Sequence, residues 1–220
     1  ASLSTGIAVA GDLTAIGGFA RRISSPRAGG GVHSLERYAQ IILKEVQRLE
    51  RIVNETLYFS REMVPAFRIV NLNVEIRDVL SMFREELEEA RISAVVDLSP
   101  DLPSISADPD QIRQVVTNLL VNAAQAMAPG PRREALVRTA WDREWVAFEV
   151  LDSGTGVPPE VLFRVFEPFF TTKAQGEGTG LGLSISHGIV RAHGGEIAGD
   201  NRPEGGARFS FRLPRDPTRI

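Results

Sequence analysis

The amino-acid sequence predicts an α+β fold in two parts, a helical hairpin over residues 1–64 and a mixed helix-and-strand domain over residues 65–220. Three observations carry that division. Apolar side chains in the first part recur at three- and four-residue spacing. A glycine-rich stretch splits that pattern in two. Beyond residue 65, a long amphipathic helix pattern gives way to a strand-like run closed by glycines.

In the first part, Leu13, Ile16, Ala20 and Ile23 form one apolar seam, and Leu35, Tyr38, Ile42, Leu49, Ile52 and Phe59 form a second. Glu45 and Thr56 interrupt the second seam. Between the two lies Ser24-Ser25-Pro26-Arg27-Ala28-Gly29-Gly30-Gly31, which breaks the helix. An antiparallel hairpin buries little by itself. Two copies paired through these seams would form a four-helix bundle, so a homodimer is expected. Met63-Val64-Pro65 reads as the link to the second domain.

The next clear element starts at Asp108-Pro109-Asp110-Gln111. Asp108 can cap a helix, proline suits its first position, and Gln111 sits three residues after the cap. At 100° per residue, Ile112, Val115, Val116, Leu119, Ala123 and Met127 share one apolar arc. Gln111, Gln114, Asn118, Asn122 and Gln125 share a stripe roughly 80° wide. A solvated face normally carries Lys and Glu rather than uncharged amides. A carboxamide offers a carbonyl that can ligate a hard cation such as Mg²⁺ and an NH₂ that can bond phosphate or ribose oxygens.

Trp145 to Leu151 reads as a strand, followed by Asp152-Ser153-Gly154-Thr155-Gly156. A buried carboxylate there can accept a hydrogen bond from the exocyclic amine of adenine. Gly154 and Gly156 let the backbone turn and approach the base. Alone, this motif is more often a plain turn; its place between the carboxamide helix and a later glycine loop favours the nucleotide reading. In that loop, glycine stands at 176, 178, 180 and 182, and residues 184–191 read as a helix. Free N–H groups and the positive end of the helix dipole suit phosphate, and Lys173 supplies a cation just upstream. The spacing matches neither the phosphate-loop nor the dinucleotide-binding pattern.

With Phe166-Glu167-Pro168-Phe169-Phe170-Thr171-Thr172-Lys173 and Gly178-Thr179-Gly180-Leu181-Gly182-Leu183 in this order, the segment from Phe67 to Pro214 resembles the catalytic ATP-binding domain of sensor histidine kinases. The wider superfamily includes DNA gyrase, heat-shock chaperone and mismatch-repair ATPases. The resemblance implies an α/β sandwich that binds ATP with Mg²⁺. Asn118 and Asn122 then belong to the N box, with Asn118 as the metal ligand, and Asp152, Gly154 and Gly156 to the first glycine box. Lys173, Gly178, Thr179, Gly180, Leu181 and Gly182 complete the nucleotide-binding set. Thr171 to Gly180 would form a mobile lid, and His193-Gly194-Gly195 with Gly205 to Phe209 a closing hairpin. Residues 1–64 resemble the dimerisation and phosphoacceptor module of the same kinases. The function implied is the cytoplasmic kinase core of a two-component sensor. It would phosphorylate a histidine from ATP and relay the group to an aspartate on a response-regulator receiver domain.

One feature departs from the family pattern. There, the first helix carries an acceptor histidine, an acid, usually two residues and Asn-Pro, and then the leucine that corresponds to Leu13. Here Val9-Ala10 runs through Gly11-Asp12 directly into Leu13. The histidine, the Asn-Pro and about four positions are missing, a loss that shifts the seam by only about 40°. Three readings stay open: the acceptor segment belongs to the polypeptide but not to this sequence, it was deleted, or it is naturally lost. Catalytic residues are therefore unassigned. His33 starts the second helix, while His187 and His193 fall in the ATP domain, with His193 expected to be structural. Two other readings stay open: a dimeric ATP-binding scaffold without autokinase activity, and an ATPase or protein kinase of the same superfamily.

Composition narrows the classes. A hydrophobic content of 43% indicates a folded core, and a net charge of −3 does not suggest a nucleic-acid surface. With no cysteine there is no disulfide, thiol nucleophile or thiolate-bound zinc, and three isolated histidines form no metal site. No apolar run reaches the roughly 18 residues of a membrane span, and no secretory signal is evident. A soluble, cytoplasmic fragment without membrane contact is expected, a reading compatible with membrane segments upstream in a longer parent.

Overall fold

A computed structural model describes residues 16, 18, 37–43, 46, 49, 65–128, 130–173 and 178–216. The chain divides into two compact units, one of Ala1–Glu62 with Thr171–Leu181 and one of Met63–Phe170 with Gly182–Ile220. The glycine-rich segment Thr171–Leu181 is grouped with the N-terminal unit.

In the first unit, positions 16, 18, 37–43, 46 and 49 are helical. Ile16, Tyr38, Ile42 and Leu49, all seam positions, are half-buried, whereas Leu43 and Val46 off the seam are exposed. The Ser24–Gly31 break, the Gly11–Asp12 junction and the rest of the expected hairpin lie outside the described residues.

The second unit is an α/β sandwich. Its strands are β1 (Arg68–Val70), β2 (Ser93–Leu98), β3 (Ile105–Ala107), β4 (Glu134–Trp141), β5 (Trp145–Asp152), β6 (Glu196–Asn201) and β7 (Ala207–Pro214). Its helices are α1 (Leu72–Met82), α2 (Arg84–Glu89), α3 (Pro109–Met127) and α4 (Gly182–Ala192), with a 3₁₀ turn at Pro159–Arg164. The main sheet runs β2-β4-β5-β7-β6, and β1 pairs with β3 in a separate two-stranded ribbon. β2 and β4 are parallel and the other pairings are antiparallel. Burial alternates strictly along β5, as a sheet with one covered face requires. Helices α3 and α4 cover that face, and α1 packs on α3.

Helix α3 is the centre of the layer. Asp108 caps it as the sequence predicts, accepting from Asp110 N at 3.0 Å and Gln111 N at 3.3 Å. The whole predicted apolar arc, Ile112, Val115, Val116, Leu119, Ala123 and Met127, is buried where α3 packs on β5 and β4. Each Ile, Val, Leu or Met of the arc contributes about 1.5–3 kcal/mol on burial, and Ala123 less. The carboxamide stripe is less uniform than the wheel suggests. Gln111 is buried beside the cap and Gln125 is exposed, because the capped first turn is enclosed while the later turns emerge at the surface.

The two long helices are tied together at His193, just beyond α4. Its Nε2 accepts from the Asp108 N–H at 2.9 Å, so the ring proton sits on Nδ1, 2.8 Å from the Ile189 carbonyl that receives it. The ring is fully buried and tilts against Phe67 at 5.0 Å. Burial pushes its pKa below the ordinary 6.5, against the opposing pull of the Ile189 carbonyl and of Asp108. The Asp108 carboxyl is itself desolvated, but the N–H groups of Ala66, Gln111 and Asp110 outweigh that and hold it below 3.8.

This bond has a pH consequence. The folded state favours neutral His193 more than the unfolded state does. Its contribution is therefore complete above pH 6.5 and is lost as pH falls below that value. Urea unfolding followed between pH 7.5 and 5.5 should show falling stability. His193→Gln should cost about 1–3 kcal/mol at pH 7.5 and flatten the slope. An unchanged slope in the variant would show that other groups govern acid sensitivity.

Candidate nucleotide site

Helix α3 carries Asn118 and Asn122 one turn apart, both half-buried. The Asn118 NH₂ donates to the Gly182 carbonyl at 3.0 Å and lies 3.2 Å from Ser186 Oγ. Ser186 in turn donates to the same carbonyl at 2.9 Å. These bonds seat the first turn of α4 against the middle of α3. Helix α4 begins at Gly182, two residues earlier than the sequence predicts, so its positive dipole end lies beside Asn118. With its NH₂ engaged, Asn118 keeps its carbonyl oxygen as the group suited to a hard cation.

Asp152 is the last residue of β5 and only 2% exposed. Its Oδ1 accepts from Gly154 N at 2.8 Å and from Ala207 N at 3.2 Å. No described residue donates to Oδ2. Burial pushes this carboxyl above its usual 3.8, opposed by the two N–H groups and the Arg202 guanidinium. The loop that follows is packed onto the end of α3. A Cβ at Gly154 would fall 2.6 Å from the Ala126 carbonyl, and Thr155 N donates to that carbonyl at 3.3 Å. Glycine is therefore required at 154 by close approach, while Gly156 takes φ +71°. One helix thus supports both the asparagine pair and the loop behind the aspartate.

The aromatic motif is anchored within the same unit. The Phe166 ring lies 5.8 Å from His187 on α4 and 6.5 Å from Phe209 on β7. Arg164 stands 4.6 Å over the Phe170 ring. Of the predicted set, the structure brings Asn118 to Gly182, and Asp152 to its glycine loop. Lys173, Gly178, Thr179, Gly180 and Leu181 belong to the other unit. In that segment Lys173 N donates to Thr171 Oγ1 at 3.2 Å and Leu181 N to Thr179 Oγ1 at 3.3 Å. A Cβ at Gly178 would meet Thr171 Oγ1 at 2.7 Å, and Gly180 takes φ +67°. Residues 174–177 of the expected lid lie outside those described.

Sequence reasoning missed Ser186, Asn201, Arg202 and the contacting role of Ala207. The first lies on the inner face of α4, where serine at an otherwise apolar position was the available signal. The other three lie in or beside the turn after β6, about 50 residues from Asp152, and nothing in the local pattern joins them to it.

Comparison with known proteins agrees with this geometry. The family of histidine kinase-, DNA gyrase B- and HSP90-like ATPases matches residues 107–217. Sensor histidine kinase ZraS of Escherichia coli K12 is 36% identical over 99% of this chain and 46% of its own length. AtoS, a signal transduction histidine-protein kinase of the same organism, is 33% identical over 98% of the chain and 35% of its own length. The chain thus spans less than half of these relatives. The solved catalytic domain of histidine kinase ThkA superposes with a TM-score of 0.63 at 35% identity, covering 70% of this chain and 99% of that one. A ThkA structure in complex with the response regulator TrrA gives 0.79 at 33% identity, covering 96% of this chain and 60% of that one. The described residues contain no helix long and apolar enough to cross a membrane. The chain belongs to the histidine kinase-, DNA gyrase B- and HSP90-like ATPase family, and its α/β unit is an ATP-binding catalytic domain of the histidine-kinase kind.

Proposed function

We propose that this chain is the cytoplasmic kinase core of a two-component sensor, working as a homodimer and passing phosphate from ATP through a histidine to an aspartate of a response regulator. The observation that carries the nucleotide half is Asp152, a buried carboxylate with one oxygen fixed by two backbone N–H groups and the other without a described donor. Such an oxygen suits the exocyclic amine of adenine and repels the carbonyl that guanine presents in its place. The phosphates would run toward the N-terminus of α4. The chemistry that Mg²⁺ would supply when held there is neutralisation of phosphate charge. Asn118 would hold the ion through its carbonyl, with Asn122 one turn away completing the polar edge. The likeness to ThkA, solved with its response regulator, supports the relay.

The metal role is tested by calorimetry. Asn118→Ala should weaken Mg²⁺–ATP about tenfold and metal-free ATP by less than about twofold. Equal losses, or none, would contradict the assignment.

Transfer needs an imidazole acceptor, and the first helix of this sequence has none. Neither histidine of known surroundings substitutes: His193 is buried with both ring nitrogens engaged, and His187 is packed beside Phe166. His33, outside the described residues, falls in sequence at the start of the second helix pattern, where the family has no acceptor. The chain with this sequence should therefore bind nucleotide without labelling itself on histidine. Incubation with radiolabelled ATP, with intact mass measured on the same sample, checks this. Alkali-stable, acid-labile label on a chain of 24.0 kDa would contradict the prediction. The same label on a heavier chain would show that the acceptor segment is part of the polypeptide.

A further inference from the structure

The turn between β6 and β7 makes three separate attachments to the Asp152 loop. Asn201 closes a two-point pairing with Val157: its Oδ1 accepts from Val157 N at 2.8 Å and its NH₂ donates to Val157 O at 2.6 Å. Arg202 donates from Nη1 to the backbone carbonyl of Asp152 at 2.8 Å. Ala207 N reaches the Asp152 carboxylate at 3.2 Å. The turn itself is tightened by Arg202 N bonding Gly206 O at 3.0 Å. The approach is close enough that a Cβ on Gly206 would fall 2.0 Å from the Asp152 carbonyl oxygen.

The Arg202 side chain is held there at a cost. Its Nε is buried without a hydrogen-bond partner, and the nearest acid, Glu204, is 3.8 Å away. A surface arginine could swing out and solvate all five donors; this one gives up a donor to keep its Nη1 on the Asp152 carbonyl. The attachments hold Asp152 at its own main chain and carboxylate and the following loop at Val157, five residues on. Together they set where the strand ends and how the carboxylate projects.

We propose that Asn201 and Arg202 are positioning residues for base selection, holding Asp152 so that its second carboxylate oxygen meets the adenine amine. The proposal rests on the reading of Asp152 given above. Neither residue is assigned contact with the nucleotide. Their effect should therefore appear in discrimination between bases, not in phosphate or metal binding.

The test uses the full chain, Mg²⁺–ATP and Mg²⁺–GTP titrations, and thermal unfolding of each variant. Asn201→Ala and Arg202→Met should each weaken ATP about five- to tenfold and GTP by less than about twofold. Arg202→Lys, which keeps a donor for the Asp152 carbonyl, should recover most of the preference. Asp152→Asn, measured in parallel, should abolish it. If Asp152→Asn abolishes the preference but Asn201→Ala and Arg202→Met leave it intact, the positioning role is overturned and the adenine reading stands. Should Asp152→Asn leave the preference intact, the adenine reading falls and takes this proposal with it. Loss of ATP and GTP in equal proportion, alongside a lowered melting temperature, would mark the turn as merely structural and overturn the proposal. An Arg202→Lys variant as unselective as Arg202→Met would overturn the hydrogen-bonding role of Arg202.

Discussion

Helix α3 has to satisfy two opposed demands along one 19-residue length. One side is sealed against the sheet by Ile112, Val115, Val116 and Leu119, each with no solvent exposure. The other side presents asparagines that must stay polar and reachable. The two faces stabilise each other's purpose. Close packing fixes the helix in rotation, so Asn118 meets the Gly182 carbonyl and Ala126 meets the loop after Asp152. A rotation of one residue would bury the amides and free both attachments. The site is thus held by the core, and a cavity made beneath Leu119 would loosen it without touching a nucleotide-facing group.

Around that helix the polar bonds are long in sequence and short in space. His193 links the end of α4 to the cap of α3 across 85 residues, and Arg202 links the β6–β7 turn to Asp152 across 50. Each joins a backbone group that its own element leaves unpaired, at a helix start or a strand end. The elements therefore arrive at the site with their ends already satisfied by one another. Such preorganisation leaves few side chains to rearrange when a ligand enters.

Much of this was readable from residue order. The cap at Asp108 and the apolar arc of α3 follow from short-range rules of periodicity and capping, and the structure shows both. Asp152 at a strand end was legible because an alternating run stops at an acid and then meets two glycines. What escaped had at most a weak short-range signature. Asn201 and Arg202 sit in an ordinary turn sequence, and only the antiparallel pairing of β6 with β7 and β7 with β5 brings them to Asp152. Ser186 reads as one more small residue on a helix until the partner face carrying Asn118 is known. Helix periodicity also overstated the amide stripe. It places Gln111 beside Asn118 in angle but does not register that the capped first turn is enclosed.

A crystal structure of the full chain with Mg²⁺ and a non-hydrolysable ATP analogue tests the central claim most directly. The account predicts the adenine amine within about 3 Å of Asp152 Oδ2, with Oδ1 still on Gly154 N and Ala207 N. A base seated elsewhere, with the second oxygen of Asp152 facing only solvent or protein, would contradict it.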